Sequence, residues 1–192
     1  MAAHEVSRFG HRDLEDMPAD VRERLEPVVE KTGFVPNVFR ALARRPEELR
    51  AFMDYHDALM DSDEGLSRAE RELVVVATSA ANNCTYCIVA HGAILRIRAR
   101  DPEIADRVAA NPYAVGLSER ERAIVDLALT IALRSATLTD ADLERAHAAG
   151  LTEEEIWDVG SITALFALSN RLAHLTDLQP NPEFFTMGRT HR

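Results

Sequence analysis

Two matching helix-start signals constrain the fold of this chain most strongly. Ser67 and Glu70 form an S-x-x-E capping box, and Ser118 and Glu121 form a second one 51 residues later. Each box precedes apolar residues at helical spacing, and the stretch 73–77 is apolar nearly all round, which is typical of a central helix. No run of alternating apolar and polar residues indicates a strand. We therefore predict an all-α fold, in which the two boxes either reflect an internally duplicated helical unit or arose independently.

The two ends of the chain differ from its middle. Residues 1–16 are polar with little periodicity and predict an N-terminal arm. Residues 179–192 contain two prolines and predict a C-terminal tail, which we expect to dock through Phe184 and Phe185. Because no linker rich in Gly, Pro or Ser divides the chain, we expect one domain over 1–192.

Composition limits the classes of function. With 192 residues the chain can bury a real core without a disulfide or a metal, which leaves its two cysteines free for chemistry. The net charge of −10 disfavours nucleic acid as a partner. No apolar run approaches the ~20 residues of a membrane span, and the N-terminus lacks the pattern of a signal peptide. We expect a soluble, cytoplasmic protein with no membrane partner.

Both cysteines lie in one short motif. Cys84, Cys87 and His91 are spaced i, i+3 and i+7, so on a helix their side chains share one stripe. Asn82 or Asn83 is expected to cap this helix, which would put Cys84 in its first turn. There the unpaired N–H groups and the helix dipole favour a thiolate, so helix geometry alone favours Cys84 as the nucleophile.

Several chemistries compete for such a motif. Covalent haem attachment requires His directly after the second Cys, where this chain has Ile88. A thioredoxin fold requires strands. Ordinary buried thiols are a further interpretation. A zinc site requires four ligands, and the candidates are Cys84, Cys87 and His91 with a fourth from Glu72, His56 or His174.

Thiol redox catalysis is the interpretation that uses every part of the motif. A thiolate attacks the O–O bond of a hydroperoxide and becomes a sulfenic acid. A second thiol then condenses with the sulfenic acid to form a disulfide and release water, and an external thiol reductant reopens the disulfide.

A longer signature carries a family resemblance. Glu72, followed twelve residues later by Cys84-x-x-Cys87-x-x-x-His91, resembles the active-site signature of the alkylhydroperoxidase D-like proteins of the carboxymuconolactone decarboxylase superfamily. The core of the match covers about residues 50–100. The flanking segments 33–39 and 170–172 are similar to the subgroup of peroxidase-related proteins, which extends the likeness over most of the chain.

The resemblance implies an alkylhydroperoxidase D-like multi-helix domain that assembles into dimers, trimers or hexamers. It also implies reduction of hydroperoxides without haem, flavin or metal. By position, Cys87 is the peroxidatic thiol, Cys84 donates a proton and resolves the intermediate, and His91 and Glu72 belong to the proton relay. Founding members have His where this chain has Tyr86, and a phenol is a poor proton shuttle near neutral pH.

Other residues and functions remain candidates. His56 and Tyr55 are candidates for lining the pocket, and Trp157 is expected to be a packing residue. A non-peroxidatic enzyme of the same superfamily, such as a lactone decarboxylase, is an alternative, although decarboxylation has no need of two thiols. A thiol redox sensor or binding module is another.

Overall fold

The computed structural model describes residues 5–113 and 116–189, and this part of the chain is helical without strands, as predicted. Expectations for residues 1–4 and 190–192, the ends of the predicted arm and tail, lie outside the described residues. The α-helices are α1 (Ala19–Thr32), α2 (Asn37–Leu42), α3 (Pro46–Met60), α4 (Arg68–Ala81), α5 (Thr85–Ala99), α6 (Ile104–Ala110), α7 (Glu119–Arg134), α8 (Asp140–Ala148) and α9 (Glu153–Thr176). Three short 3-10 turns accompany them.

Helix α4 is the centre of the fold. Its capping box forms, since Ser67 N–H donates to Glu70 Oε2 over 2.8 Å and Glu70 N–H donates to Ser67 Oγ over 3.3 Å. The helix is buried over nine consecutive residues from Arg71 to Ser79 and packs against α5, α6, α7 and α9. The second predicted box, at Ser118, opens α7 in the same way. The duplication of a helical unit stays a prediction.

The connection between α4 and α5 places the cysteine motif. Asn83 has a left-handed backbone with φ 54°, and its N–H donates to Ala80 O while Cys84 N–H donates to Ser79 O. This pair of bonds is a Schellman motif, which ends a helix abruptly. Cys84 then serves as the N-cap of α5, because its carbonyl accepts the first helical bond. The expected cap at Asn82 or Asn83 is therefore wrong, since the turn needs both residues to end α4.

Helix α9 is the longest element and packs against α3, α4, α5, α7 and α8. Thr152 caps it by accepting the N–H of Glu155. Trp157 was expected to be a packing residue, but its side chain faces outward from the bundle and is 71% exposed. Among the described residues neither α9 nor any other helix combines the length and apolarity needed to cross a bilayer.

The N-terminal arm and the C-terminal tail are paired with each other. Arg8 N–H donates to Thr176 O over 2.8 Å, and Gln179 N–H donates to Val6 O over 2.9 Å. Val6 is buried, so the arm is anchored to the core despite its polar composition. Helix α1 runs through Pro27 without being divided.

The tail docks through only one of its two phenylalanines. Phe184 is buried and meets Phe34 edge-on, whereas Phe185 is 49% exposed. The buried guanidinium of Arg96, on α5, donates to the carbonyls of Phe184 and Met187 over 2.8 and 2.9 Å. The tail is thus pinned to the helix that carries the cysteines.

Candidate active site

The two thiols lie at the start of α5, below the surface. Cys84 is the N-cap, and Cys87 lies one turn into the helix. Both are free cysteines, and both are buried. The spacing predicted from the sequence therefore brings the two sulfur atoms together on one side of α5, facing α9.

The pKa values of the two thiols are shifted in opposite directions. The pKa of Cys84 is lowered to about 6. The largest cause is a hydrogen bond donated by the Cys87 thiol, and the Cys87 backbone N–H makes a smaller contribution. The same interaction and deep burial raise the pKa of Cys87 above its ordinary value. The two shifts therefore favour Cys84 over Cys87 as the thiol that loses its proton first. This agrees with the helix-geometry argument for Cys84.

Helix α9 supplies polar contacts that the sequence analysis did not assign to the site. Ser169 Oγ lies 3.8 Å from Cys87 Sγ, within reach of a weak hydrogen bond. The amide of Asn170 donates to Ser79 Oγ over 3.0 Å and accepts from Asn82 Nδ2 over 2.9 Å. Asn170 also lowers the pKa of both thiols. One feature of the sequence could have indicated these contacts: Ser169 and Asn170 are adjacent polar residues within the otherwise apolar stretch of α9.

Glu72 and His91 form the second part of the site. Glu72 on α4 is buried, and its Oε2 lies 2.8 Å from Nδ1 of His91 on α5. The imidazole also meets the edge of Phe166 at 4.6 Å between ring centroids. The carboxylate therefore holds Nδ1–H and leaves Nε2 free to exchange a proton. No direct hydrogen bond joins His91 to either thiol in residues 5–113 and 116–189.

Of the two predicted pocket residues on α3, His56 lies near His91, whereas Tyr55 does not contact the site. The His56 ring lies 6.4 Å from the His91 ring, centroid to centroid, and contacts Asp57 Oδ1 at 3.0 Å through Nδ1. The His56 contact, with help from Arg24, lowers the pKa of Asp57. Tyr55 is 48% exposed on α3.

Tyr86, between the two cysteines, has a structural partner. Its hydroxyl accepts the backbone N–H of Val38 over 3.0 Å, and its side chain is buried. Burial raises the pKa of Tyr86. This phenol therefore connects the cysteine helix to the first turn of α2 and cannot ionise near neutral pH.

His174 lies on the outer side of Cys84. Its Nε2 is 3.2 Å from the carbonyl oxygen of Asn83, and the residue is exposed. Its charge, when present, lowers the pKa of Cys84. The thiol pair is thus flanked by two histidines, one in α5 and one in α9.

The donors expected for a zinc site do not converge. In the described part of the chain no group of three or more His, Cys, Asp or Glu side chains is arranged to hold a metal ion. The geometry instead suits proton transfer around a thiol pair, with a carboxylate–imidazole pair on one side.

A large cavity lies apart from the thiols. It is a cleft of about 1000 Å³ between α4, α6, α7 and α8, with a floor of alanines such as Ala77 and Ala123 and a charged rim that includes Arg122 and Asp126. No thiol or relay residue lines it. Neither cysteine lines this cleft, so we assign the candidate site to the thiols.

A much smaller cavity lies beside the thiol pair. It has about 10 Å³ and is lined by residues of α2, α3 and α9, among them Val38, Phe52 and Ser169. This is room for about one water molecule. Ser169 contacts Cys87, so one side chain separates this cavity from that thiol.

Comparison with known proteins gives a consistent family. The model of the carboxymuconolactone decarboxylase family matches residues 46–114, which include all four signature residues. No curated protein sequence matches.

Two solved structures are similar over the whole chain. An uncharacterised peroxidase-related protein from Ralstonia eutropha JMP134, described as an alkylhydroperoxidase AhpD core, is 50% identical with a TM-score of 0.96, covering 99% of this chain and 100% of that one. An uncharacterised peroxidase-related protein from Silicibacter sp. TM1040 is 33% identical with a TM-score of 0.89, covering 98% and 100%. The debrominase Bmp8, at 19% identity, 90% and 94% coverage and a TM-score of 0.73, shares the fold.

Proposed function

This chain belongs to the alkylhydroperoxidase D-like proteins of the carboxymuconolactone decarboxylase superfamily, and from that premise we propose that it is a thiol-dependent hydroperoxide reductase. The observation that supports the proposal best is a pair of free thiols of unequal pKa on the same helix as His91, one turn before it, with Glu72 paired to that histidine. A low-pKa thiolate with a neighbouring thiol is what peroxide reduction through a disulfide requires.

The reaction proceeds in two steps. A thiolate attacks the outer oxygen of the hydroperoxide, the O–O bond breaks, and the leaving alkoxide or hydroxide takes a proton to become an alcohol or water. The second thiolate then attacks the sulfenic sulfur, and hydroxide leaves with a proton as water. His91, held by Glu72, supplies and collects these protons through Nε2. A thiol reductant restores both thiols.

The roles of the two cysteines can be stated separately. The resemblance assigns the attack to Cys87 and resolution to Cys84. The lowered pKa of Cys84 and the raised pKa of Cys87 favour Cys84 as the resting thiolate. Attack by Cys87 therefore requires its proton to pass first to Cys84 or to His91, whereas attack by Cys84 requires no prior transfer.

Fold alone does not select the reaction, because a debrominase shares it at 19% identity. A lactone decarboxylase would not use two thiols. A redox sensor would form the same disulfide without turnover. The thiol pair with its relay therefore favours a peroxidase, working with a hydroperoxide and an external thiol reductant in a reducing compartment such as the cytoplasm.

Mass measurement on the intact, reduced protein tests the proposal. On mixing with hydrogen peroxide or an organic hydroperoxide, we expect a gain of one oxygen atom followed by a net loss of two hydrogens. The variants Cys84→Ser and Cys87→Ser should each stop at one oxygen or fail to react, and the one that gains oxygen retains the attacking thiol. Unchanged thiol-driven peroxide consumption in both variants would show that the proposal is wrong, and disulfide formation without turnover would identify a sensor.

A further inference from the structure

His56 and Asp57, on α3, form a second carboxylate–imidazole pair near the Glu72–His91 pair. We propose that His56 is the solvent-side end of the proton path and passes protons between His91 and bulk water in each reaction cycle. It acts on the thiols only through His91. The inference rests on the proposed function, because a proton path needs a reaction that consumes and releases protons.

The two carboxylate–imidazole pairs have the same construction. Nδ1 of His56 lies 3.0 Å from Oδ1 of Asp57, as Nδ1 of His91 lies 2.8 Å from Oε2 of Glu72. A carboxylate at Nδ1 holds the proton there and leaves Nε2 as the nitrogen that exchanges a proton. Each histidine therefore has the tautomer that a proton carrier requires, with one nitrogen fixed and the other available.

Aromatic packing holds the two imidazoles near each other. Their centroids are 6.4 Å apart. Both rings meet Phe166 of α9 edge-on, at 4.6 Å for His91 and 6.4 Å for His56, and Phe52 stacks on His56 at 6.1 Å. A direct hydrogen bond joins atoms about 3 Å apart, so the two imidazoles are too far from each other to form one. In the proposed path one water molecule between the rings carries the proton.

Side-chain exposure rises along this path. The exposed fraction is 8% for Glu72 and 13% for His91, then 27% for His56 and 47% for Asp57. His91 is therefore largely enclosed, whereas His56 reaches both the interior and the surface. An imidazole of intermediate exposure, next to an enclosed one, is suitably placed to exchange protons with bulk water.

Arg24 holds the outer carboxylate in place. Its Nη2 donates to Oδ2 of Asp57 over 2.8 Å, so Asp57 uses one oxygen for Arg24 and the other for His56. Asp54 accepts from Nη1 of the same guanidinium over 2.5 Å, and no hydrogen bond of the described residues joins it to His56. Asp57 and Asp54 therefore share a partner, and only Asp57 contacts the imidazole.

The proposed reaction needs a proton exchange with solvent in every cycle. One thiolate, one thiol, one hydroperoxide and one proton give a disulfide, an alcohol and a water molecule. A dithiol reductant is then oxidised to its disulfide, restores the thiolate and the thiol, and releases one proton. One proton therefore enters and one leaves per cycle. Nε2 of His91 can hold a single proton, so this largely enclosed residue has to be resupplied.

Chemical rescue tests the role of His56. His56→Gln keeps a polar side chain but removes the group that exchanges protons near neutral pH. We expect thiol-driven hydroperoxide turnover to fall about tenfold, less than the hundredfold or more of a direct acid–base group. Added imidazole should restore most of it by carrying protons to His91, and the disulfide should still form in full yield by mass.

His147→Gln is the matched control for this substitution. His147 lies on α8 and contacts the carbonyl of Leu151 through Nδ1, 2.9 Å away, so its loss should leave turnover unchanged with or without imidazole. Unchanged turnover in His56→Gln, or a fall that imidazole does not rescue, would limit His56 to packing and overturn the inference. An unmodified chain that neither forms the disulfide nor turns over would instead overturn the proposed function, and the inference with it.

A pair of carboxylate variants tests the path without changing a histidine. Asp57→Asn removes the charge beside His56, and we expect turnover to fall about threefold to tenfold. Asp54→Asn loses a contact with the same Arg24 and should keep full turnover. These surface substitutions decide the question if circular dichroism shows that His56→Gln does not fold. Equal turnover in Asp57→Asn and Asp54→Asn would overturn the inference.

Discussion

Glu72 Oε2 lies 2.8 Å from Nδ1 of His91 and joins α4 to α5 next to the thiol pair. Both side chains are largely buried, so the contact is shielded from salt and water. A carboxylate in this position selects the tautomer with the proton on Nδ1, which leaves Nε2 as the nitrogen that can accept a proton. In the proposed reaction the pair exchanges protons with thiols that it does not touch directly, and a bridging water would make that exchange.

The charge of Glu72 should matter more for turnover than for stability. We predict that Glu72→Gln keeps a hydrogen bond to His91 but loses the charge, so that thiol-driven hydroperoxide turnover falls about tenfold to a hundredfold. The melting temperature should change little, because removing a buried charge offsets the loss of the pair. Turnover and thermal unfolding of the same preparation measure both effects.

Glu70, two residues earlier on α4, provides the control. It accepts from Ser67 N–H over 2.8 Å and from Arg120 Nε over 2.7 Å, and it lies outside the thiol site. Glu70→Gln should lower the free energy of unfolding by about 1 kcal/mol through the weakened cap and leave turnover unchanged. A larger loss of turnover in Glu70→Gln than in Glu72→Gln would contradict the relay.

Local patterns predicted the helices but not the contacts between them. The boxes at Ser67 and Ser118 are local hydrogen-bond patterns, so they could be recognised from four residues each. The turn at Asn83 uses a left-handed conformation, which asparagine adopts more readily than most residues other than glycine. Asparagine is equally favoured as a helix N-cap, so the sequence did not distinguish the two roles and the position of Cys84 at the cap was missed. Asn170 contacts Ser79, which lies 91 residues earlier in the sequence. Such a contact depends on how α9 packs against α4, and a local sequence pattern does not specify that packing.

Cys84 should titrate well below an ordinary thiol. Its pKa is lowered to about 6, chiefly by the Cys87 thiol, so the thiolate forms as the pH rises through that value. We predict that alkylation by iodoacetamide increases through about pH 6 and then levels off. In Cys87→Ala the midpoint should move up towards the ordinary value near 9.0, and in Cys87→Ser, whose hydroxyl is still a hydrogen-bond donor, it should stay below the midpoint of Cys87→Ala. An identical midpoint in all three proteins would exclude this origin of the low pKa.

Tyr86 should be a structural residue rather than a proton shuttle. Tyr86→Phe removes the acceptor of the Val38 N–H and leaves that amide unpaired. We expect a loss of about 1–2 kcal/mol in the free energy of unfolding, with turnover within about threefold of the unmodified protein. Denaturant unfolding and peroxide consumption separate the two effects. If turnover falls a hundredfold, as estimated for a lost acid–base group, while stability is unchanged, the phenol belongs to the relay.

Asn170 should lower the pKa of the thiols as well as stabilise the fold, which distinguishes it from other buried amides. Asn170→Ala leaves Ser79 and Asn82 without a partner and removes a contact that lowers the pKa of Cys84. We predict a loss of about 1–3 kcal/mol in unfolding free energy and a higher alkylation midpoint. Asn181→Ala is the matched control, because Asn181 is also buried but bonds only the backbone around the start of α2. It should lose similar stability with no change in the midpoint, and equal midpoints in both variants would limit Asn170 to packing.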